Sequence, residues 1–317
     1  MEQLSVSFLK SNQPQDYVCL EKKLTQGRFS VFQCNSPTRR SSYALKMFPK
    51  DTISKAHYQR EKRMLSKLNH PNIIQYAPIL GHTRCTKFDV IITTFAPYGS
   101  FMDLCQNGVF FGKEKLVRTY FRQLIDGIEY IHSKGIAHLD LKLDNMVIGE
   151  DFLLKIVDFD LSQEFGERHV ISGGTRDFRA PEIIDRNCSN IFAADIYSIG
   201  IILFYLLAGE APFFEAKVNG VSKILYYDSF EKNNWAFWEF RAEKLGKIGI
   251  FSEDFRNLVT GMLRRNPKER WTLYDIKMSK WYWGPVYDRL TLKKEMQKIF
   301  ETSKKSKKDK LNETMYW

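Results

Sequence analysis

The chain predicts an α+β protein of two lobes, a small antiparallel sheet with one main helix followed by a larger, mainly helical lobe. Three observations predict it. At 317 residues the chain exceeds the size at which a single hydrophobic core keeps growing, so it is expected to divide. Tyr17 to Phe48 alternates apolar and polar positions, and Lys87 to Thr94 returns to that pattern, the period of half-buried strands. Beyond Phe95 apolar residues recur at helical spacing.

The elements follow in order. Tyr17 to Phe48 alternates with Gly27 at a turn, which predicts antiparallel strands. Lys55 to Leu68 is charged but sets Met64, Leu65 and Leu68 on one face, and Pro71 ends it. This helix carries Glu61. Lys87 to Thr94 returns to a strand pattern, and Ala96-Pro97-Tyr98-Gly99 reads as a connector between lobes. Leu116, Tyr120, Leu124, Ile128 and Ile131 define the next helix, with Lys134 and Gly135 as its stop. Asp195 to Ala208 is apolar on nearly every side and predicts the core helix of the larger lobe. The aromatic run Trp235 to Phe240 is expected to pack as a helix. The organisation predicted is an extension (1–15), a small lobe (16–95), a large lobe (96–283) and a basic tail (284–317).

Composition excludes several classes. With 44% apolar and 27% charged residues the chain has the make-up of a soluble globular protein. Its longest apolar run, Ile199 to Ala208, falls short of the roughly 20 residues of a membrane-spanning helix. The N-terminus shows no basic segment leading into an apolar one, and the five cysteines are scattered without metal-ligand spacing. An intracellular location, cytoplasmic or nuclear, is expected. The net charge of +11 is concentrated at the end, where nine basic and three acidic residues lie between Arg289 and Lys310. No nucleic-acid partner is expected, because the body lacks a basic face interleaved with stacking aromatics.

The chemistry sits in three runs in order: His138-Leu139-Asp140-Leu141-Lys142-Leu143-Asp144-Asn145, then Asp158-Phe159-Asp160, then Ala180-Pro181-Glu182. Phosphoryl transfer from ATP needs a base for the acceptor hydroxyl, a cation on the moving phosphoryl group and ligands for Mg²⁺. Asp140 is the candidate base, Lys142 the phosphate-binding cation, and Asn145 and Asp158 the metal ligands. Order and spacing together match the signature of protein kinases. The chain resembles a eukaryotic protein kinase over roughly Tyr17 to Trp283.

That resemblance implies further roles. Lys46, in Tyr43-Ala44-Leu45-Lys46, would contact the ATP phosphates with Glu61 as its partner. Leu24 to Phe32 would be the nucleotide loop, keeping only Gly27 of the family's three glycines, with Leu24 and Gly27 at the nucleotide, Phe29 at the loop tip and Phe32 above the adenine. Ala44 and Val147 would sandwich the base, Thr93 would guard the pocket behind it, and Thr94 and Ala96 would offer backbone groups to its edge. Asp195 would hold the catalytic-loop backbone, Arg270 would pair with Glu182, and Gly174 to Glu182 would dock a peptide. Lys142 and Thr175 imply a serine or threonine acceptor, so the function expected is a serine/threonine protein kinase acting on protein hydroxyls. A nucleotide-binding scaffold without turnover is the alternative.

Three departures qualify the resemblance. Leu139 replaces the arginine that receives a phosphate on the activation segment, and Ile171 stands where that phosphate is usually placed. Activity is therefore expected not to depend on that modification in the usual way. Ser172 lies next to it, where His57 and Arg60 could meet a phosphate. Asp160 replaces a glycine, adding a carboxylate beside Asp158 at a turn that aspartate tolerates. In the tail, Leu292, Met296, Ile299 and Phe300 form an apolar stripe on a basic helix. It is expected to be docked or solvated, with a tail-binding regulator as the other reading.

Overall fold

A computed structural model describes residues 20–25, 28–36, 40–77, 87–167, 176–218, 221–225, 227–232 and 234–314. Strands β1 (Leu20–Lys23), β2 (Ser30–Ser36), β3 (Ser41–Pro49) and β4 (Phe88–Thr94) form one antiparallel sheet in that order. The period of two along β3 divides its side chains between two faces. Tyr43, Leu45 and Met47 share an outer apolar cluster with Phe32, Cys34 and Ile92. Phe48, two residues beyond Lys46, joins Ile91 and the main core on the other face.

Helix α1 (Thr52–Lys67) begins earlier than its apolar spacing suggested because Asp51 caps it. The Asp51 carboxylate accepts the Ser54 amide at 2.9 Å and the Ser54 hydroxyl at 2.7 Å, satisfying donors that an uncapped end would leave open. The buried residues His57, Glu61, Met64 and Leu65 fall on one stripe of α1, which lies against the sheet. One apolar cluster joins the lobes, running from Phe48 and Leu65 through Phe159 to the helices below.

After the connector, α2 (Phe101–Gln106) starts with a capping box between Ser100 and Asp103. Helix α3 (Glu114–Ser133) buries Tyr120, Leu124, Ile128 and Ile131 completely. Then come short strands β5 (Ile136–Ala137), β6 (Met146–Ile148), β7 (Leu154–Ile156) and β8 (Gln163–Glu164), with β5 paired to β8 and β6 to β7. These place the first two chemical runs at the lobe junction.

Helix α4 (Ile191–Ala208) extends upstream of Asp195 because the Asn190 side chain accepts the Phe192 and Ala193 amides; Gly209 ends it at φ +77°. It is the one helix among the described residues long and apolar enough to cross a membrane, but 89% of it is buried within the protein. It is the core helix the sequence predicts. In α5 (Asn234–Lys244) Phe237 and Trp238 pack inward while Trp235 and Phe240 are exposed. Helix α6 (Glu253–Met262) approaches α4 at Gly200, where an added Cβ would come within 2.8 Å of Leu263.

The basic segment is docked. Arg118 of α3 donates to the carbonyls of Trp281 at 2.6 Å and Pro285 at 3.0 Å, holding the chain where it turns towards α7 (Arg289–Thr314). Leu292 and Met296 are then buried in the large-lobe core. Phe300 reaches the connector, its ring 4.7 Å from that of Tyr98, which itself stacks on Phe152 at 4.4 Å. The apolar stripe is thus covered by the protein's own large lobe. Truncating fully buried Met296 to alanine should lower stability by about 2–5 kcal/mol. Thermal unfolding of Met296→Ala beside wild type measures it.

Candidate active site

Lys46 lies in the middle of β3, opposite Val31 on β2 and Ile91 on β4. Its ammonium is 2.7 Å from Glu61 of α1, 2.6 Å from Asp158 and 4.0 Å from Asp160. The Phe29 and Phe48 rings flank the same nitrogen at 5.5 and 5.1 Å, where a cation is attracted to the ring face. Three carboxylates around one buried cation cannot all carry full charge cheaply. Burial opposes the Lys46 charge, but Asp158, Glu61 and Asp160 outweigh it and raise its pKa. Burial would raise Asp158 as well, yet the Lys46 contact holds it down at about 2. Glu61 is pushed up to about 7, burial outweighing Lys46. Asp160 is pushed up to about 8, by burial and then by the charge on Asp158.

The second cluster centres on Asp140. Lys142 Nζ is 2.8 Å from its Oδ2, and the Asn145 amide donates to the Asp140 carbonyl at 2.8 Å and to Oδ2 at 3.0 Å. With the Asn145 NH₂ committed to Asp140, its remaining side-chain group is an oxygen, the atom a hard cation requires. The backbone is pinned from below. Asp195, fully buried in α4, accepts the amides of His138 and Leu139 at 2.8 Å each and the His132 ring at 2.9 Å. Leu139 is thereby held at φ +63°, a conformation a branched side chain adopts only under such constraint.

His138 packs rather than reacts. The Asp140 amide donates to its Nδ1 at 3.3 Å, so its Nε2 carries the proton that it gives to the Val157 carbonyl at 3.0 Å. Its ring lies 4.9 Å from Phe159. The turn of the second run is also bound to the loop carrying Asp140, the Val157 amide donating to the Asn145 carbonyl at 3.0 Å. Asp158 takes the positive φ of this turn, +69°, and Asp160 does not. Tolerance of unusual dihedrals is therefore needed at 158, while the side chain at 160 is placed on an ordinary backbone.

The structure brings Lys46, Glu61, Asp140, Lys142, Asn145 and Asp158 together in these two linked clusters. Thr93 pairs with Ala44, which puts both on the Lys46 face, and half-buried Val147 bridges to Ser100. The Thr94 amide is spent on the Gln75 carbonyl at 3.0 Å, leaving Thr94 to act as an acceptor. Leu24 is 36% exposed, directly after β1. Ala96 opens the connector. Phe32 requires correction: register sets it opposite Leu45, in the outer apolar cluster, so it faces away from the lysine and Val31 shares the Lys46 side. A large aromatic gains more by burial there than beside a polar cleft. Phe29 is likewise tucked inward, between Phe48 and His57. Gly27, Ile171, Ser172, Gly174 and Thr175 lie outside the described residues.

Sequence reasoning missed how His57 and Arg60 are used. Both contact Asp160, and their own i,i+3 spacing on one helix face was the available signal. At the far end of the lobe Arg270 grips Glu182 with two bonds of 2.6 and 2.9 Å and also donates to the Ala193 carbonyl. That pair ties the end of the third run to α4.

The donor set suits a hard cation bound together with phosphate. Among the described residues no cluster of three or more histidines, cysteines or carboxylates forms a metal cage. Mg²⁺ commonly takes one or two protein oxygens and completes its shell with water and substrate phosphates, and Asn145 with Asp158 match that demand. Replacing Asp195 by alanine leaves two buried amides without an acceptor, so Asp195→Ala should lose roughly 2–6 kcal/mol of stability. Denaturant unfolding would register it, with Asp195→Asn losing less.

Comparison with known proteins agrees with the geometry. The family model described as Protein kinase domain matches residues 19–282. The chain is 30% identical over 273 residues to CBL-interacting serine/threonine-protein kinase 12 of Arabidopsis thaliana, covering 82% of this chain and 51% of that protein. It is 31% identical over 278 residues to CBL-interacting protein kinase 11 of Oryza sativa subsp. japonica, covering 84% and 51%. The chain spans about half the length of these curated relatives.

Proposed function

Because the chain belongs to the eukaryotic serine/threonine protein kinase family, we propose that it transfers the γ-phosphoryl group of ATP to serine or threonine hydroxyls of proteins. One observation carries the reading. Lys46 is already paired with Glu61 and Asp158 at 2.7 and 2.6 Å, which aims its ammonium at the place where phosphates would lie.

In this reading Asp140 receives the acceptor proton. Lys142, now on Asp140 at 2.8 Å, moves its charge to the transferred group once a hydroxyl occupies the carboxylate. Asn145 and Asp158 hold Mg²⁺, which offsets the charge on the phosphate oxygens. Ala44, Val147 and Thr93 line the base pocket, with Val31 rather than Phe32 on that side of β2. We infer further that catalysis does not require phosphorylation of the segment after Asp160. Leu139 cannot bind a phosphate, and Ile171 has no hydroxyl to carry one.

Mg-ATP with a degenerate peptide library supplies the test. Wild type should incorporate phosphate on serine or threonine, while Asp140→Asn and Lys46→Met should fall by about 10²–10⁴-fold. Incorporation at equal rates by all three proteins, or nucleotide binding with none, would sink the proposal. Phosphatase-treated enzyme should keep most of its activity; a near-complete loss would refute independence from segment phosphorylation.

A further inference from the structure

The position of α1 decides whether Glu61 reaches Lys46, and something must hold that helix. Four contacts converge on residue 160, the position where Asp160 stands instead of glycine. His57 Nδ1 lies 3.2 Å from the Asp160 carbonyl and 3.4 Å from its Oδ2. Arg60 Nη1 donates to the same carbonyl at 3.1 Å. Lys46 Nζ is 4.0 Å from Oδ2. His57, Arg60 and Glu61 sit within one turn of α1, so a clamp on the first two fixes the third.

The chemistry sets the direction of each bond. Arg28, on the segment entering β2, approaches His57 Nε2 at 2.9 Å. A guanidinium can only donate, so Nε2 accepts. The neutral ring then carries its hydrogen on Nδ1, the nitrogen facing the Asp160 oxygens. Burial favours that neutral form, lowering the His57 pKa. Both partners are inaccessible, His57 at 8% and Asp160 at 6% exposure, so water competes little for these bonds.

We propose that Asp160 is a positioning residue: while its carbonyl takes His57 and Arg60, its carboxylate adds a second hold on His57 and faces Lys46, latching α1 onto the turn of the second run and keeping Glu61 on Lys46. The latch rests on the phosphoryl-transfer reading above for its kinetic consequence, and on geometry alone for its structural one. It explains why Leu139 is acceptable. The tether that a phosphate-binding arginine would provide from the catalytic loop is supplied by the metal turn itself. Arg28 extends the same chain of contacts to the segment before β2.

Three variants of the full chain test it, each followed by peptide phosphorylation and by amide hydrogen exchange across residues 52–67. Asp160→Ala should reduce kcat/KM by about tenfold and speed exchange in α1. Asp160→Asn keeps an oxygen that can accept from His57 and should restore both readouts to within about threefold of wild type. His57→Phe keeps the ring packing on Phe29 but loses both nitrogen contacts. It should cost at least as much as the alanine variant, which retains the carbonyl contacts, and combining the two should add less than the sum, as expected of groups acting through one network. Unchanged exchange in α1 for Asp160→Ala or, should that variant not fold, for His57→Phe overturns the latch, as does an asparagine variant no better than alanine. A wild type that transfers no phosphate would defeat the proposed function instead, and α1 exchange would still decide the latch.

Discussion

A single buried ammonium organises this protein. Lys46 is the cation that Glu61, Asp158 and Asp160 share, and those groups come from a strand, a helix and a turn that are separate in sequence. Burying such a cluster is costly, and replacing a buried ion pair with apolar residues often stabilises a fold. The arrangement is therefore better understood as a device for position than as a source of stability. The excess of carboxylates fits the same view, since burial shifts Glu61 and Asp160 upward and disfavours their charged forms.

Stability comes from elsewhere. The apolar cluster running between the lobes gives the ion cluster a rigid bed, with Phe159 and Leu65 buried on either side of the junction. Asp195 performs the corresponding task for the catalytic loop, converting a backbone that would otherwise be free into one held at Leu139 in a positive-φ conformation. Charged residues thus act on position and apolar residues on cohesion. The two systems meet at the turn containing Asp158, Phe159 and Asp160.

Much of the candidate site was legible because its residues are clustered along the chain. Asp140, Lys142 and Asn145 occupy one short run, and their spacing reflects the local loop that brings Lys142 and Asn145 onto Asp140. The Glu61 helix was legible from its apolar stripe, though its start was not, because a cap depends on the Asp51 side chain rather than on periodicity. Phe32 was misread for a different reason. Its place in the nucleotide loop suggested a role above the base, but strand register decides the face, and register depends on how β2 meets β3. The tail shows the same limit. Its stripe was visible, and its docking against Tyr98 and the large lobe depends on surfaces formed by residues far earlier in the chain.

Residue identity and spacing carried the chemistry: carboxylates, an amide and lysines in a fixed order were enough to name a phosphoryl-transfer inventory, while chain length and the change of apolar period predicted two lobes. Tertiary structure alone settled which partners those groups took. Lys46 and Asp158 are 112 residues apart, yet they meet at 2.6 Å. Asp160 turns to His57, Phe32 turns outward, and Met296 enters the core, because these choices depend on packing between segments whose separation in the chain no local pattern encodes.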